Sequence, residues 1–224
     1  MSMAGDGGLQ YRWLGRIGFD EALALQEEIV QEHARHGDTL LMLEHDPVYT
    51  TSRRGKDENL PSDIAVPVRR IGRGGDVTYH GPGQLVGYVL VDLRARGGDV
   101  HRFLRSIEAG VIAVVGDLGV AADRLPGRTG AWVFGRDDQE AARKIASIGI
   151  GVRRGVSMHG FALNVSVDLS AFDAIVPCDL TGVRMTSVEQ ETGRPAPALD
   201  EVAEAAVLRI AEALPARASR GDHP

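Results

Sequence analysis

Cys178 is the only cysteine of the chain, and Lys144, thirty-four residues before it, is one of two lysines among 25 basic residues. Where nearly every other basic position is arginine, a lysine suggests a need for a titratable amine, because a guanidinium keeps its proton near neutrality. A thiol and such an amine can serve as a nucleophile and its activating partner. The same two residues also fit a plainer reading, a buried small hydrophobe and a surface charge.

The second candidate is the run Arg73-Gly-Gly-Asp-Val-Thr-Tyr-His80 followed by Gly81, Pro82 and Gly83. Its glycines let the backbone bend sharply and approach a ligand, and Arg73 and His80 place donors at its two ends. It could form the wall of a substrate site, or simply a structural turn. It lacks the GxxxxGK[ST] phosphate loop and does not open a helix, so it gives no support for a nucleotide site. His80 and His159 could each hydrogen-bond a carbonyl or merely orient a loop, and Asn164 and Tyr79 have a weaker claim.

These residues must be positioned by surrounding elements. Leu9 to Leu14 reads as a strand, and apolar residues at helical spacing in Phe19 to Arg35 predict a helix ending before Gly37. Strands are expected over Thr39 to Glu44, Val48 to Thr51 and Ala65 to Ile71, then a loop through the glycine-rich run. The apolar stretch Leu85 to Leu93 reads as a buried strand, with Leu85 and Val86 expected to line an apolar slot. Val100 to Leu118 reads as a helix and Gly130 to Phe134 as a strand. Lys144 to Val152 and Phe161 to Val167 are expected to form a hairpin around Arg153 to His159, and Leu199 to Leu214 a last helix. Glu191 to Pro197 reads as loop. Strands and helices do not alternate regularly, so the fold class is α+β, a mixed, largely antiparallel sheet packed with helices.

At 224 residues and 43% hydrophobic content the chain suffices for one domain, expected over 9–214, with flexible ends at 1–8 and 215–224. A lone cysteine and an N-terminus without a basic, apolar leader point to the cytoplasm. The net charge of -6 argues against nucleic-acid binding, and no apolar run is long enough to span a membrane. Arg53, Arg54, Lys56, Arg69, Arg70 and Arg73 nevertheless crowd together, with Arg153 and Arg154 further on. They read as a docking face for an acidic carrier or as a solvated loop face.

The run RGGDVTYHGPGQ resembles the signature of the octanoyl-acyl carrier protein:protein N-octanoyltransferases, the lipoyl(octanoyl) transferases. The segments HDPVYT from His45, TGAWV from Thr129, KIASIGI from Lys144, HGFALNVSVDL from His159 and IVPC ending at Cys178 resemble that family's other blocks, in order. The likeness spans roughly residues 9 to 190. It implies a fold shared with lipoate and biotin protein ligases. It also implies two acyl transfers: octanoyl passes from the phosphopantetheine thiol of acyl carrier protein to the enzyme cysteine, then to the ε-amine of a lysine on a lipoyl domain. The recipients would be lipoyl domains of 2-oxoacid dehydrogenase complexes and of the glycine cleavage system.

By the same resemblance Cys178 is the nucleophile and Lys144 lowers its pKa and relays protons. Substrate binding falls to Arg73, Gly74, Gly75, Asp76, Val77, Thr78, Tyr79 and His80, to Ser147, Ile148 and Gly149, and to Gly160, Phe161 and Ala162. His159 and Asn164 are supporting candidates. A thiol of pKa about 8.5 is activated when a cation about 4 Å away, at an effective dielectric near 20, contributes roughly 4 kcal/mol. The acyl group arrives already activated as a thioester, so neither ATP nor a metal is expected. Two departures stand out. Asp179 follows Cys178 where the family has glycine, and an inward carboxylate would raise the thiol pKa. Ser52 replaces a glycine in VYTTSRRG, which bears on that loop's backbone. Two rival readings are an ATP-dependent lipoate ligase, which needs no thiol, and a carrier-binding scaffold that has lost turnover.

Overall fold

The computed structural model describes residues 9–53, 55, 60, 65–75, 77–135, 142–175 and 183–218. In chain order the strands are β1 (Gln10–Ile17), β2 (Thr39–His45), β3 (Val48–Ser52), β4 (Val68–Ile71), β5 (Thr78–His80), β6 (Gln84–Leu90), β7 (Ala131–Val133), β8 (Arg143–Arg153), β9 (Val156–Asn164) and β10 (Arg184–Met185). The helices are α1 (Phe19–Gln31), α2 (His33–His36), α3 (Val100–Asp117), α4 (Val188–Thr192) and α5 (Leu199–Ala213). The main sheet runs β1-β2-β6-β9-β8-β10, with β7 also paired to β8, and a smaller sheet runs β4-β3-β5. Three of the pairings are parallel, β1 with β2, β3 with β4 and β8 with β10; the other named pairs are antiparallel.

The main sheet is apolar on both faces, and the period-2 pattern of its strands assigns each side chain to a face. Leu40 and Met42 of β2, Leu85 and Val89 of β6, and Phe161 and Leu163 of β9 face α3 and α5, where Phe103, Ile107, Val111, Ala206 and Ile210 complete the larger core. Leu41, Leu43, Val86, Tyr88, Leu90, Met158 and Ala162 face the other way, toward Ala22, Ile29 and Val30 of α1. The cleft described below opens on this second face.

The helices at Val100 and Leu199 and most strands lie where the spacing predicts, but several details differ. The long helix from Phe19 is broken at Glu32, whose backbone (φ -107°, ψ 30°) is non-helical. The glycine-rich run is not all loop: Thr78 to His80 pair with β3. The hairpin turns at Arg154 and Gly155, both at positive φ, so Ser157 to His159 belong to a strand. Part of the segment expected as loop from Glu191 belongs to α4, capped by the Ser187 side chain. The tail expected to be free from Pro215 is tied down at its start, where Arg96 donates to the Pro215 carbonyl (2.6 Å) and Ala218 N–H donates to Ala95 (2.7 Å).

Candidate active site

A cleft of about 530 Å³, mouth included, lies between the α1 face of the main sheet and the smaller sheet. Its lining brings together Arg73, Gly75, Val77, Thr78, His80, Lys144, Ser147, Ile148, Gly149, His159, Gly160, Phe161 and Ala162. Phe19, Ile71, Val86 and Tyr88 complete the wall. Leu85, expected beside Val86, faces the opposite core, as alternation along β6 requires. Tyr79 also turns away and packs on Tyr49 and Phe172. Cys178, Asp179 and Asp76 lie outside the described residues, as do Arg54 and Lys56.

Lys144 is the second residue of β8, and its backbone carbonyl accepts from Thr186 N–H (2.9 Å). The side chain is only 5% exposed, and its amine nitrogen lies 5.3 Å from the centroid of Trp132, where a ring face attracts a cation. Gly130 makes room for it, since a Cβ there would stand 2.8 Å from Lys144 Cε. The Gly130 N–H is held in turn by the buried carboxylate of Glu108 (3.0 Å), which also accepts from Arg105 (2.5 Å) and Arg124 (3.2 Å). A helix, a turn and two strands thus fix one lysine.

Two glycine-rich stretches, far apart in sequence, meet at the other end. Gly74 N–H donates to the Ile150 carbonyl (3.0 Å), and a Cβ on Gly149 would stand 2.9 Å from the Gly74 oxygen. Gly151 faces Gly72 at still closer range. The Arg73 guanidinium is turned inward, donating to the Thr50 carbonyl (2.9 Å), to its hydroxyl (3.0 Å) and to the Gly74 carbonyl (3.0 Å). Ser52, at the departure from the family pattern, ends β3 paired with Ile71, so an ordinary strand conformation suffices there.

Behind the lining lies a row of buried polar groups. His80 bonds Gln84 (2.8 Å) and Thr50 (3.3 Å), Gln84 bonds Asn164 (2.9 Å), and Asn164 bonds the Thr186 carbonyl (2.9 Å). His45 bridges the Ile17 carbonyl (2.9 Å) and the Tyr88 hydroxyl (2.7 Å). Burial and the neighbouring His45 push the His80 pKa down to about 3. Burial and then Arg73 push that of His159 down to about 4, and burial lowers that of His45. All three rings are therefore neutral at pH 7. Burial raises the Tyr88 pKa, so its hydroxyl keeps its proton. Sequence reading did not single out Thr50, Gln84 or Tyr88, whose roles depend on register alone.

The expected basic face is partly neutralised. Arg69 forms a two-pronged pair with Asp20 (2.8 Å), and Arg153 pairs with Glu27 (2.8 Å). Arg70 donates to the Gly55 carbonyl (2.9 Å).

Comparison with known proteins bears on the family and the fold. The Lipoyl protein ligase A/B catalytic domain family matches residues 19–211. A protein of Geotalea uraniireducens named Octanoyltransferase is 56% identical over 182 residues, covering 80% of this chain and 81% of that protein. One of the same name from Mycolicibacterium smegmatis is 43% identical over 216 residues, covering 96% and 93%. The chain belongs to the octanoyltransferase family. Octanoyltransferases are acyltransferases. The fold is that of the lipoate and biotin protein ligases. A lipoate-protein ligase A bound with ATP superimposes with a TM-score of 0.67 at 18% identity, over 90% of this chain and 84% of that one. An apo biotin protein ligase from Aquifex aeolicus gives 0.52 at 14%, over 92% and 67%. Among the described residues no helix is long and apolar enough to cross a membrane.

Proposed function

We propose that the protein moves an octanoyl group from octanoyl-acyl carrier protein to the ε-amine of a lysine on a lipoyl domain, through a thioester on Cys178. The recipients are lipoyl domains of 2-oxoacid dehydrogenase complexes and of the glycine cleavage system, in a reducing cytoplasm. The observation that carries this reading is the cleft that joins a buried lysine to a wall of glycine and small residues, in a chain of the octanoyltransferase family.

In the first step the Cys178 thiolate attacks the carrier thioester. A new C–S bond forms, the phosphopantetheine sulfur leaves, and it takes up the proton that Cys178 released to Lys144. In the second step a neutral lysine amine attacks the enzyme thioester; the C–N bond forms, the C–S bond breaks, and the amine's proton returns through Lys144 to the Cys178 sulfur. An amine with a titratable proton can serve both steps, which a guanidinium cannot. A thioester exchanged for a thioester and then for an amide runs downhill, so the reaction draws on no nucleotide and no metal. The three neutral histidines add no charge to the cleft beyond that of Arg73 and Lys144.

Intact-mass spectrometry after incubation with octanoyl-acyl carrier protein tests the reading. The expected result is a gain of one octanoyl group that is lost in C178A, with K144M slowing acylation by about a hundredfold or more, as for loss of a general acid–base group. Labelling that requires ATP and free acid would replace the transferase with a ligase. Carrier binding with no acyl transfer under any condition would make the protein a scaffold.

A further inference from the structure

We propose that His159 and Tyr88 form the closed end of the acyl slot and set the length of chain the enzyme accepts. The inference deepens the reading above and rests on its placement of the thioester beside Lys144.

The floor of the cleft is built in rungs, because β6, β9 and β8 are paired in fixed register. One rung joins Val86, Ala162 and Ser147, and the next joins Tyr88, Gly160 and Gly149. Along β8, Ser147 is three positions from Lys144 and Gly149 five, or about 10 and about 16 Å at roughly 3.3 Å per residue. An extended octanoyl group spans about 9 Å, seven bonds of about 1.5 Å in zigzag. Van der Waals contact takes about 3.5 Å at each end, so a chain of this length runs from Lys144 to the second rung. The first rung is floored by small side chains and lets it pass. The second has no side chain on Gly149 or Gly160 and presents Tyr88, with His159 beside it.

Both rings are held firmly. His159 has φ +62°, a conformation costly for any residue with a Cβ, in the middle of a strand. Its N–H donates to the Oε1 of Gln26 on α1 (2.9 Å), which is fully buried. The His159 ring stands edge-on to Tyr88, with centroids 6.1 Å apart and planes at 75°. Tyr88 donates its hydroxyl proton to His45 Nε2, since Nδ1 must carry the hydrogen given to the Ile17 carbonyl. The far end thus presents a ring braced by a helix and another braced by a histidine, both uncharged. A strained backbone maintained at such a place is explained if its purpose is to point the imidazole into the slot.

The test is a chain-length profile of kcat/KM, with acyl carrier protein loaded with six to twelve carbons, and acyl-enzyme read by intact mass. In His159→Gly, where glycine suits the backbone angle, removal of the ring is expected to move the optimum to about ten carbons. Decanoyl relative to octanoyl should rise about tenfold or more, since a methylene newly accommodated is worth about fourfold. Ser147→Leu, which fills the first rung, should move the optimum the other way, to six carbons or fewer. Opposite shifts from two substitutions cannot come from general damage. If His159→Gly does not fold, His159→Asn, which tolerates positive φ with a shorter side chain, should give a smaller shift toward longer chains. An unchanged eight-carbon optimum in a folded, acylated variant at position 159 overturns the inference alone. Absence of acyl-enzyme in the unmodified protein at every chain length overturns the reading beneath it, and the inference with it.

Discussion

Thr186 offers Asn164 a carbonyl, which can only accept, and that fact orients five side chains in turn. Asn164 must present its NH2 to Thr186, and so its oxygen to Gln84. Gln84 then donates from its nitrogen to Asn164 and to the Tyr79 carbonyl (3.2 Å), which leaves its oxygen for His80 Nδ1–H. His80 Nε2 is therefore bare and accepts from the Thr50 hydroxyl, whose oxygen accepts from Arg73. With both nitrogens committed to Thr50 and Gln84, His80 braces the wall. Gln84→Leu would strand three buried partners, at about 1–3 kcal/mol for each group left unsatisfied. We expect a total loss of about 3 kcal/mol by urea unfolding, and a raised KM as the Thr50 hydroxyl that helps hold Arg73 is loosened, with kcat less affected. Asn164 and His80 were visible in the sequence as candidates, but Gln84 was not. Glutamine next to a strand start is unremarkable until register sets it opposite Asn164.

Between elements, the decisive contact is that of the Gly72–Gly75 segment with Gly149 and Gly151 of β8. Gly149→Ala would place a methyl 2.9 Å from the Gly74 carbonyl, and backbone cannot yield as a flexible side chain can. We expect the loop to be displaced, at a stability cost of about 1–3 kcal/mol for overpacking and with KM for the acyl donor raised more than kcat is lowered. Urea melts and steady-state kinetics on the one variant check both. The sequence showed that both stretches were rich in glycine; it could not show that each explains the other. Helices were readable because 3.6-residue periodicity persists over many turns, as in Val100–Asp117. Strand β5 was not readable, because three residues between glycines carry too little pattern, and pairing with β3 decides their state. The hairpin turn, expected over Arg153 to His159, is shorter than that for a related reason: it closes at Arg154 and Gly155, and His159 keeps its place in the strand at positive φ with help from Gln26.

At the scale of the molecule, two knots of charge secure what surrounds the cleft. Glu108 fixes the turn behind Lys144, and the fully buried Asp38 joins the start of β2 to the far side of β6 and to the tail. It accepts from Arg96 (2.8 Å), His33 (3.1 Å) and Asp92 N–H (3.0 Å), while Arg96 also holds Pro215. Burial would raise the Asp38 pKa, but His33, the Asp92 N–H and Arg96 together keep it below the ordinary value. Asp38→Ala strands Arg96 and should cost about 3–5 kcal/mol, as for a broken buried pair. The three buried histidines predict how the whole fold meets acid. His80, His159 and His45 have lowered pKa values in the fold against 6.5 when unfolded, so between those limits the unfolded chain binds more protons. Stability therefore rises with pH across that interval, is complete above about 6.5, and is lost as pH falls toward about 4 and then 3. Urea midpoints measured from pH 8 to pH 4 should stay level down to about 6.5 and then decline. The decline should be shallower in His159→Gly, which removes one of the three rings that resist protonation. A midpoint independent of pH across that interval would mean that the histidines are solvated and able to charge in the folded protein. The rings would then not be the buried, neutral groups that the fold holds against the cleft.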